Sequence, residues 1–120
     1  MKLSKRQIKL RKRARYLKTK AYAKRLVRSK ANKELANWAR AIRSMGFCEV
    51  NGCLSERINA HHILDRTRYP EFKTDMLNGV CLCSFHHKFG KLSAHRNPLW
   101  FTDWLKTNKP LKYKWAMEHL

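Results

Sequence analysis

All four cysteines and five of the six histidines of this 120-residue chain fall between Cys48 and His95. The stretch "FCEVNGCLSERINAHHIL" carries Cys48, Cys53, His61 and His62, and "NGVCLCSFHHKFGKLSAHRNP" carries Cys81, Cys83, His86, His87 and His95. Thiolate and imidazole are the ligands that borderline metals such as zinc take, and imidazole is also a base near neutral pH. Cys48 and Cys53 flank an Asn51-Gly52 turn, while Cys83 and His86 have a C-x-x-H spacing leading into a short helix. Two such knuckles can close a tetrahedral Zn2+ site from Cys48, Cys53, Cys83 and His86, with ligands at about 2.0–2.3 Å. Cys81 competes for the third place, and the Cys83–His86 spacing favours Cys83. Ordinary buried thiols are the plainer alternative.

His61, His62, His87 and His95 are more than one closed zinc site requires. Adjacent residues on a strand face opposite sides, so His61 and His62 do not share a task. One can bind a metal while the other meets a substrate. A lone histidine is more often a surface or core residue. A His-His pair followed by an Asn and a further His after a knuckle is harder to set aside.

The elements that must position these residues read as α+β. Val27, Ala31, Leu35, Trp38, Ile42 and Met45 fall on one face of a helix over residues 27–45, and Gly46 suits its left-handed C-cap. Residues 2–26 contain fair helix formers under heavy like-charge crowding, so that segment is expected to be helical only when its charge is neutralised. "RINAHHIL" and "LNGVCLC" read as short strands. "SFHHKFG" reads as a helical turn or two capped by Ser84 and ended by Gly90. "NPLWFTDWLKT" starts a helix at Pro98, with Leu99, Trp100, Trp104 and Leu105 along one apolar side. Pro110 breaks it, and "LKYKWAMEHL" forms a last helix.

Charge divides the chain. The formal net charge is +20, and residues 1–45 carry 17 Lys or Arg against the single acid Glu34. We therefore separate a basic arm, residues 1–45, from a nearly balanced domain, residues 46–120. A block this basic calls for a polyanion, and nucleic acid is the natural one. Arg11, Lys12, Arg13, Arg15, Lys24 and Arg25 of the arm are expected to contact phosphates. Near the histidines, Arg66, Arg68, Lys88, Lys91 and Arg96 are expected to do the same. An anionic membrane is the rival partner, but the arm has no sustained apolar face before Leu26. No apolar run spans a bilayer and "MKLSKRQIKLRKR" lacks the apolar core of a leader, which leads us to expect a reducing, cytoplasmic setting. There, four cysteines suggest metal rather than disulfides. The 75 residues outside the arm make a marginal core, which a structural metal would stabilise.

His61-His62-Ile63, then Asn78, then Leu82-Cys83-x-x-His86-His87 resemble the HNH (His-Me finger, ββα-metal) endonucleases. Fifteen residues separate His62 from Asn78 and eight separate Asn78 from His87, close to the colicin-type pattern. The likeness covers roughly residues 47–97. "SAHRNPLWFTDWLK" also looks like small phage-type members, including relatives of NinG/Rap recombination nucleases. The resemblance implies a ββα-metal core, with His62 as general base and Asn78 holding the His62 region in place as its catalytic companion. It further implies that His61 and His87 bind a catalytic Mg2+ or Mn2+, beside structural Zn2+ on Cys48, Cys53, Cys83 and His86. Products would carry a 5′-phosphate and a 3′-hydroxyl. The chain departs from the family in three places. Lys91 stands where colicin-type enzymes put their last His, so His95, Asn97 or water would complete the site; His86 replaces a fourth cysteine; and the first knuckle is widened. DNA is the expected partner, with RNA not excluded and the host cell bacterial if the chain is phage-encoded.

Two other classes remain open. One is a non-catalytic zinc-stabilised nucleic-acid-binding protein, in which the histidine pattern has no task. The other is an adaptor whose Trp100/Trp104 helix docks a recombination or packaging partner, against the ordinary use of such rings as core.

Overall fold

A computed structural model describes residues 2–120. It has an α+β architecture in two compact units, Met1–Glu34 and Leu35–Leu120. Helix α1, Lys5–Leu17, starts at a reciprocal cap: Ser4 Oγ accepts from Gln7 N (3.2 Å) and Gln7 Oε1 accepts from Ser4 N (2.9 Å). Thr19 restarts the helix by accepting from Tyr22 N at 3.2 Å, and α2 runs over Lys20–Arg43. The arm, expected to be helical only on neutralisation, is helical here. Every residue of α1 is exposed, so its cations repel through water rather than through protein. Among the described residues no helix is long and apolar enough to cross a membrane.

The boundary between the two compact units falls inside α2, after Glu34. Trp38 and Ile42 are buried with Cys81, and Leu35 packs beside them. Val27 and Met45, assigned to the same docking stripe, are 72 % and 48 % exposed. Only the part of the stripe that meets the sheet is covered. Gly46, shortly after α2 ends at Arg43, takes φ +83° and its N–H donates to Arg43 O at 3.0 Å, closing the helix end.

Strands β1, Ile58–His62, and β2, Gly79–Cys83, pair antiparallel with His61 opposite Val80 and His62 opposite Gly79. Period-two alternation therefore sends Val80 and Leu82 to a core shared with Phe101, Trp104 and Leu105. Cys81, Ile58 and Ala60 go to the other face, under α2. Gly79 is required there, since a Cβ on it would lie 2.7 Å from Trp38 Cζ2. The outer edge of β2 is closed by side chains instead of a third strand. Glu49 Oε2 accepts from Cys81 N at 2.6 Å, and Lys112 Nζ donates to Gly79 O at 2.6 Å. A π-helical turn, Phe85–Phe89, follows β2 and closes with Gly90 N donating to Phe85 O at 2.7 Å. Ser84 does not cap it; its hydroxyl lies 3.4 Å from Asn59 Nδ2.

Helix α3, Pro98–Asn108, is capped by Asn97, whose Oδ1 accepts from Trp100 N at 3.0 Å. Its buried side is Phe101, Trp104 and Leu105, while Leu99, predicted to face inward, is 85 % exposed. Phe101 takes that inward place, with its ring edge-on to His61 at 5.0 Å. Helix α4, Pro110–Glu118, completes the chain.

Candidate metal centres

The Asn-Gly reversal forms as the sequence implies. Cys53 N donates to Val50 O at 2.9 Å and Gly52 takes φ +78°. This brings Cys48 and Cys53 to the end of β2, where Cys48, Cys53, Cys83 and His86 place one ligand atom each within 4.8 Å of one another. Cys53 Sγ and Cys83 Sγ are 3.9 Å apart, and His86 Nδ1 lies 3.2 Å from Cys83 Sγ and 3.6 Å from Cys48 Sγ. A tetrahedral zinc separates two sulfurs by about 3.8 Å and sulfur from nitrogen by about 3.6 Å, given its bond lengths. The cluster is thus compatible with a zinc site. Cys81 does not compete for it, being buried on the α2 face.

Burial pushes the Cys48 thiol up to about 12, further raised by Cys83 and Cys53. Burial also opposes ionisation of Cys83, but the backbone N–H groups of His86 and Phe85 and the Cys53 and Cys48 thiols bring it below its ordinary value. Burial alone lowers His86, leaving its ring neutral and able to donate a lone pair.

A second cluster forms across the sheet's other end. His61 from β1, His87 from the π turn and His95 from the strap before α3 again lie within 4.8 Å by their ring nitrogens. His87 Nε2 and His95 Nε2 face each other at 3.2 Å. Two nitrogens sharing one ion at about 2.1 Å would sit roughly 3.0–3.4 Å apart for octahedral to tetrahedral angles. Burial lowers His61 to about 3, with repulsion from His87, His95 and His62 adding to it. Burial likewise lowers His87 to about 4, helped by His95 and Lys88. Both rings are therefore neutral donors at physiological pH. His95 is exposed, so this cluster opens to water while the cysteine cluster is four-sided and closed. Three imidazoles with an open side are a donor set for a borderline divalent ion that keeps room for a further ligand.

His62 points away from the trio, as strand alternation demands. Its ring stacks on Trp38 at 3.9 Å between centroids and 10° between planes, and its Nε2 lies 2.9 Å from Lys73 O. A carbonyl only accepts, so Nε2 carries the proton and Nδ1 holds the free lone pair. Burial lowers the His62 pKa and Arg66 lowers it further, against the Lys73 carbonyl and Asp65. Asn78 is fully buried and clamps the loop that presents Lys73. Its Oδ1 accepts from Leu64 N at 2.6 Å, and its Nδ2 donates to Leu64 O and Phe72 O at 3.0 Å each.

Of the alternatives for a third ligand, Asn97 is committed to capping α3, and Lys91, at the place of the family's last His, is exposed. Arg66, Arg68, Lys88 and Arg96 are exposed in the domain, as are Arg11, Lys12, Arg13, Arg15, Lys24 and Arg25 in the arm. Arg13 and Arg25 line one concave surface of the first unit with Tyr16, Tyr22 and Leu26. Sequence reasoning missed three contributors: Trp38, which read only as core; the Lys73 carbonyl, which no side-chain pattern reveals; and Glu49, whose position between two cysteines was the available signal. Trp104 is core, in keeping with its ordinary use. No family model, curated protein or solved structure matches this chain.

Proposed function

We propose that the chain is a metal-dependent endonuclease of the HNH (His-Me finger) type, hydrolysing phosphodiester bonds in nucleic acid, with DNA the favoured substrate. The observation that carries this reading is the separation of roles between adjacent residues. His61 joins His87 and His95 in an open donor set, while His62, held by a carbonyl and an indole, keeps Nδ1 free.

In this reading His62 Nδ1 takes a proton from water as its oxygen bonds to phosphorus, and the opposite P–O bond breaks to release an alkoxide. A base so positioned contributes typically 10²–10⁴-fold. A divalent ion on His61, His87 and His95 would neutralise charge on the phosphoryl and leaving oxygens. The donor set fits that ion, though three imidazoles without a carboxylate suit Mn2+ or Zn2+ better than Mg2+. Trp38 and Lys73 O fix the ring plane and tautomer of His62, and Asn78 fixes the loop behind them. The closed Cys48, Cys53, Cys83 and His86 set would hold structural Zn2+. The arm supplies phosphate contacts without sequence information.

A non-catalytic zinc-stabilised nucleic-acid binder is the second reading, favoured by one observation: the stack on Trp38 also suits a purely structural His62. Supercoiled plasmid with Mn2+, Mg2+ or Zn2+ separates the two. Nicking by the parent and loss of at least about 10²-fold in His62→Ala, with zinc content and thermal unfolding unchanged, supports the enzyme. Tight binding with no cutting by either protein removes it.

A further inference from the structure

Phe89 is the most exposed aromatic side chain among the described residues, at 72 %. Its backbone is not loose. Arg96 Nη1 donates to Phe89 O at 3.0 Å, Ser93 Oγ lies 3.4 Å from Lys88 O, and His95 N donates to His87 O at 3.1 Å. The strap before α3 is thereby laced to the π turn, which carries Phe89 two residues after His87 of the histidine trio. Phe85, by contrast, has a local use: its ring covers Gly90, where a Cβ would sit 2.5 Å from it. Nothing comparable covers Phe89, and its chain neighbours Lys88 and Lys91, with Arg96 on its carbonyl, are all exposed.

A phenyl ring carries no hydrogen-bonding group, so it cannot read the edges of paired bases. The faces of paired bases are already stacked on one another. A free base offers its own face to such a ring, whatever the sequence, and cations alongside hold the phosphates on either side of it. An apolar protein surface or a lipid tail would meet three unpaired cations at the same place.

We propose that Phe89 is a stacking platform for an unpaired nucleotide, with Lys88, Lys91 and Arg96 on the flanking phosphates. The nucleic acid bound at the histidine trio is thus single-stranded at that point, a statement that rests on the nuclease reading for its link to cleavage. Unpaired DNA and unpaired RNA share this chemistry.

The test measures binding, not cutting. Full-length zinc-loaded protein in a His62→Ala background is titrated into labelled single-stranded DNA, the same sequence as RNA, and a blunt DNA duplex. Salt is raised until the arm contributes little. Phe89→Ala weakens single-strand binding by about 5- to 150-fold while duplex binding stays within about twofold, and Phe89→Trp restores the loss. The response of the DNA and RNA arms tells which strand is held. An equal loss on strand and duplex, or none on either, overturns the proposal. If the parent chain cuts no plasmid yet Phe89→Ala still loses single strands selectively, the nuclease reading fails and the platform stands. If cutting depends on His62 but single-strand binding ignores Phe89, the platform alone fails.

Discussion

Asn78→Ala should cost the second unit a large part of its stability. The side chain is fully buried and makes three hydrogen bonds, to Leu64 N, Leu64 O and Phe72 O. Truncation leaves the Leu64 N–H without a partner in a residue only 6 % exposed, at about 1–3 kcal/mol for an orphaned buried donor. The two carbonyls lose about 1 kcal/mol each. The sum is roughly 3–5 kcal/mol, against the 5–15 kcal/mol that typical domains possess. At about 4–8 °C per kcal/mol for a unit of this size, Tm falls by at least about 12 °C. Thermal unfolding by circular dichroism on zinc-loaded protein measures it, with Asn59→Ala as control, since Asn59 has one long contact at 3.4 Å. A shift no larger than the control's would refute the assignment of Asn78 as the clamp of the loop between β1 and β2.

Cys83→Ser should abolish zinc binding and folding of the second unit together, because structural zinc supplies about 10–16 kcal/mol in small domains; retained zinc by elemental analysis with a native melt would contradict this. Stability of the protein with its histidine trio free of metal should fall as pH drops from about 6.5 toward 4. His61 and His87 have folded-state values depressed to about 3 and about 4, so the unfolded chain takes up the protons first. Each ring then contributes a slope of at most about 1.4 kcal/mol per pH unit across that window, and none above it. Melts of the parent and His61→Gln at pH 5 and 7.5 check the sign, since the variant should lose part of the slope while keeping the cysteine cluster.

How much of this was readable in advance depended on whether the cause was local. The strands around His61-His62 and Val80-Cys83, the Gly46 cap and the Asn51-Gly52 reversal rest on period, propensity and φ, which short windows carry. The grouping of Cys48, Cys53, Cys83 and His86 followed from ligand chemistry and knuckle spacing. What failed depended on partners distant in the chain. Leu99 is the exception with a local cause: at 100° per residue Phe101, not Leu99, shares the side of Trp104 and Leu105 and joins their core. The stripe is continuous in sequence, yet within the second unit only Leu35, Trp38 and Ile42 of it pack on the sheet, while Met45 is 48 % exposed. Cys81 and Cys83 share a strand, and there the local Cys83–His86 spacing did tell them apart, with Cys81 under α2. The Lys73 carbonyl has no side-chain signature at all.

The two candidate centres are not independent, and the π turn is the reason. His86 and His87 are consecutive, so one turn sends one ring to the cysteines and the next to His61 and His95. The wider i→i+5 closure, with Gly90 N on Phe85 O, allows that division where a tighter turn would redirect one ring. Cys83 ends the strand whose Val80 stands opposite His61, and His86 shares the π turn with His87, so the two clusters rest on common elements. Loss of the cysteine cluster should loosen the turn that carries His87, whereas removing His61 leaves all four residues of that cluster on their own elements. The histidine trio, with His95 exposed, thus shares its π turn with the cysteine cluster, in which Cys48 and Cys83 are buried.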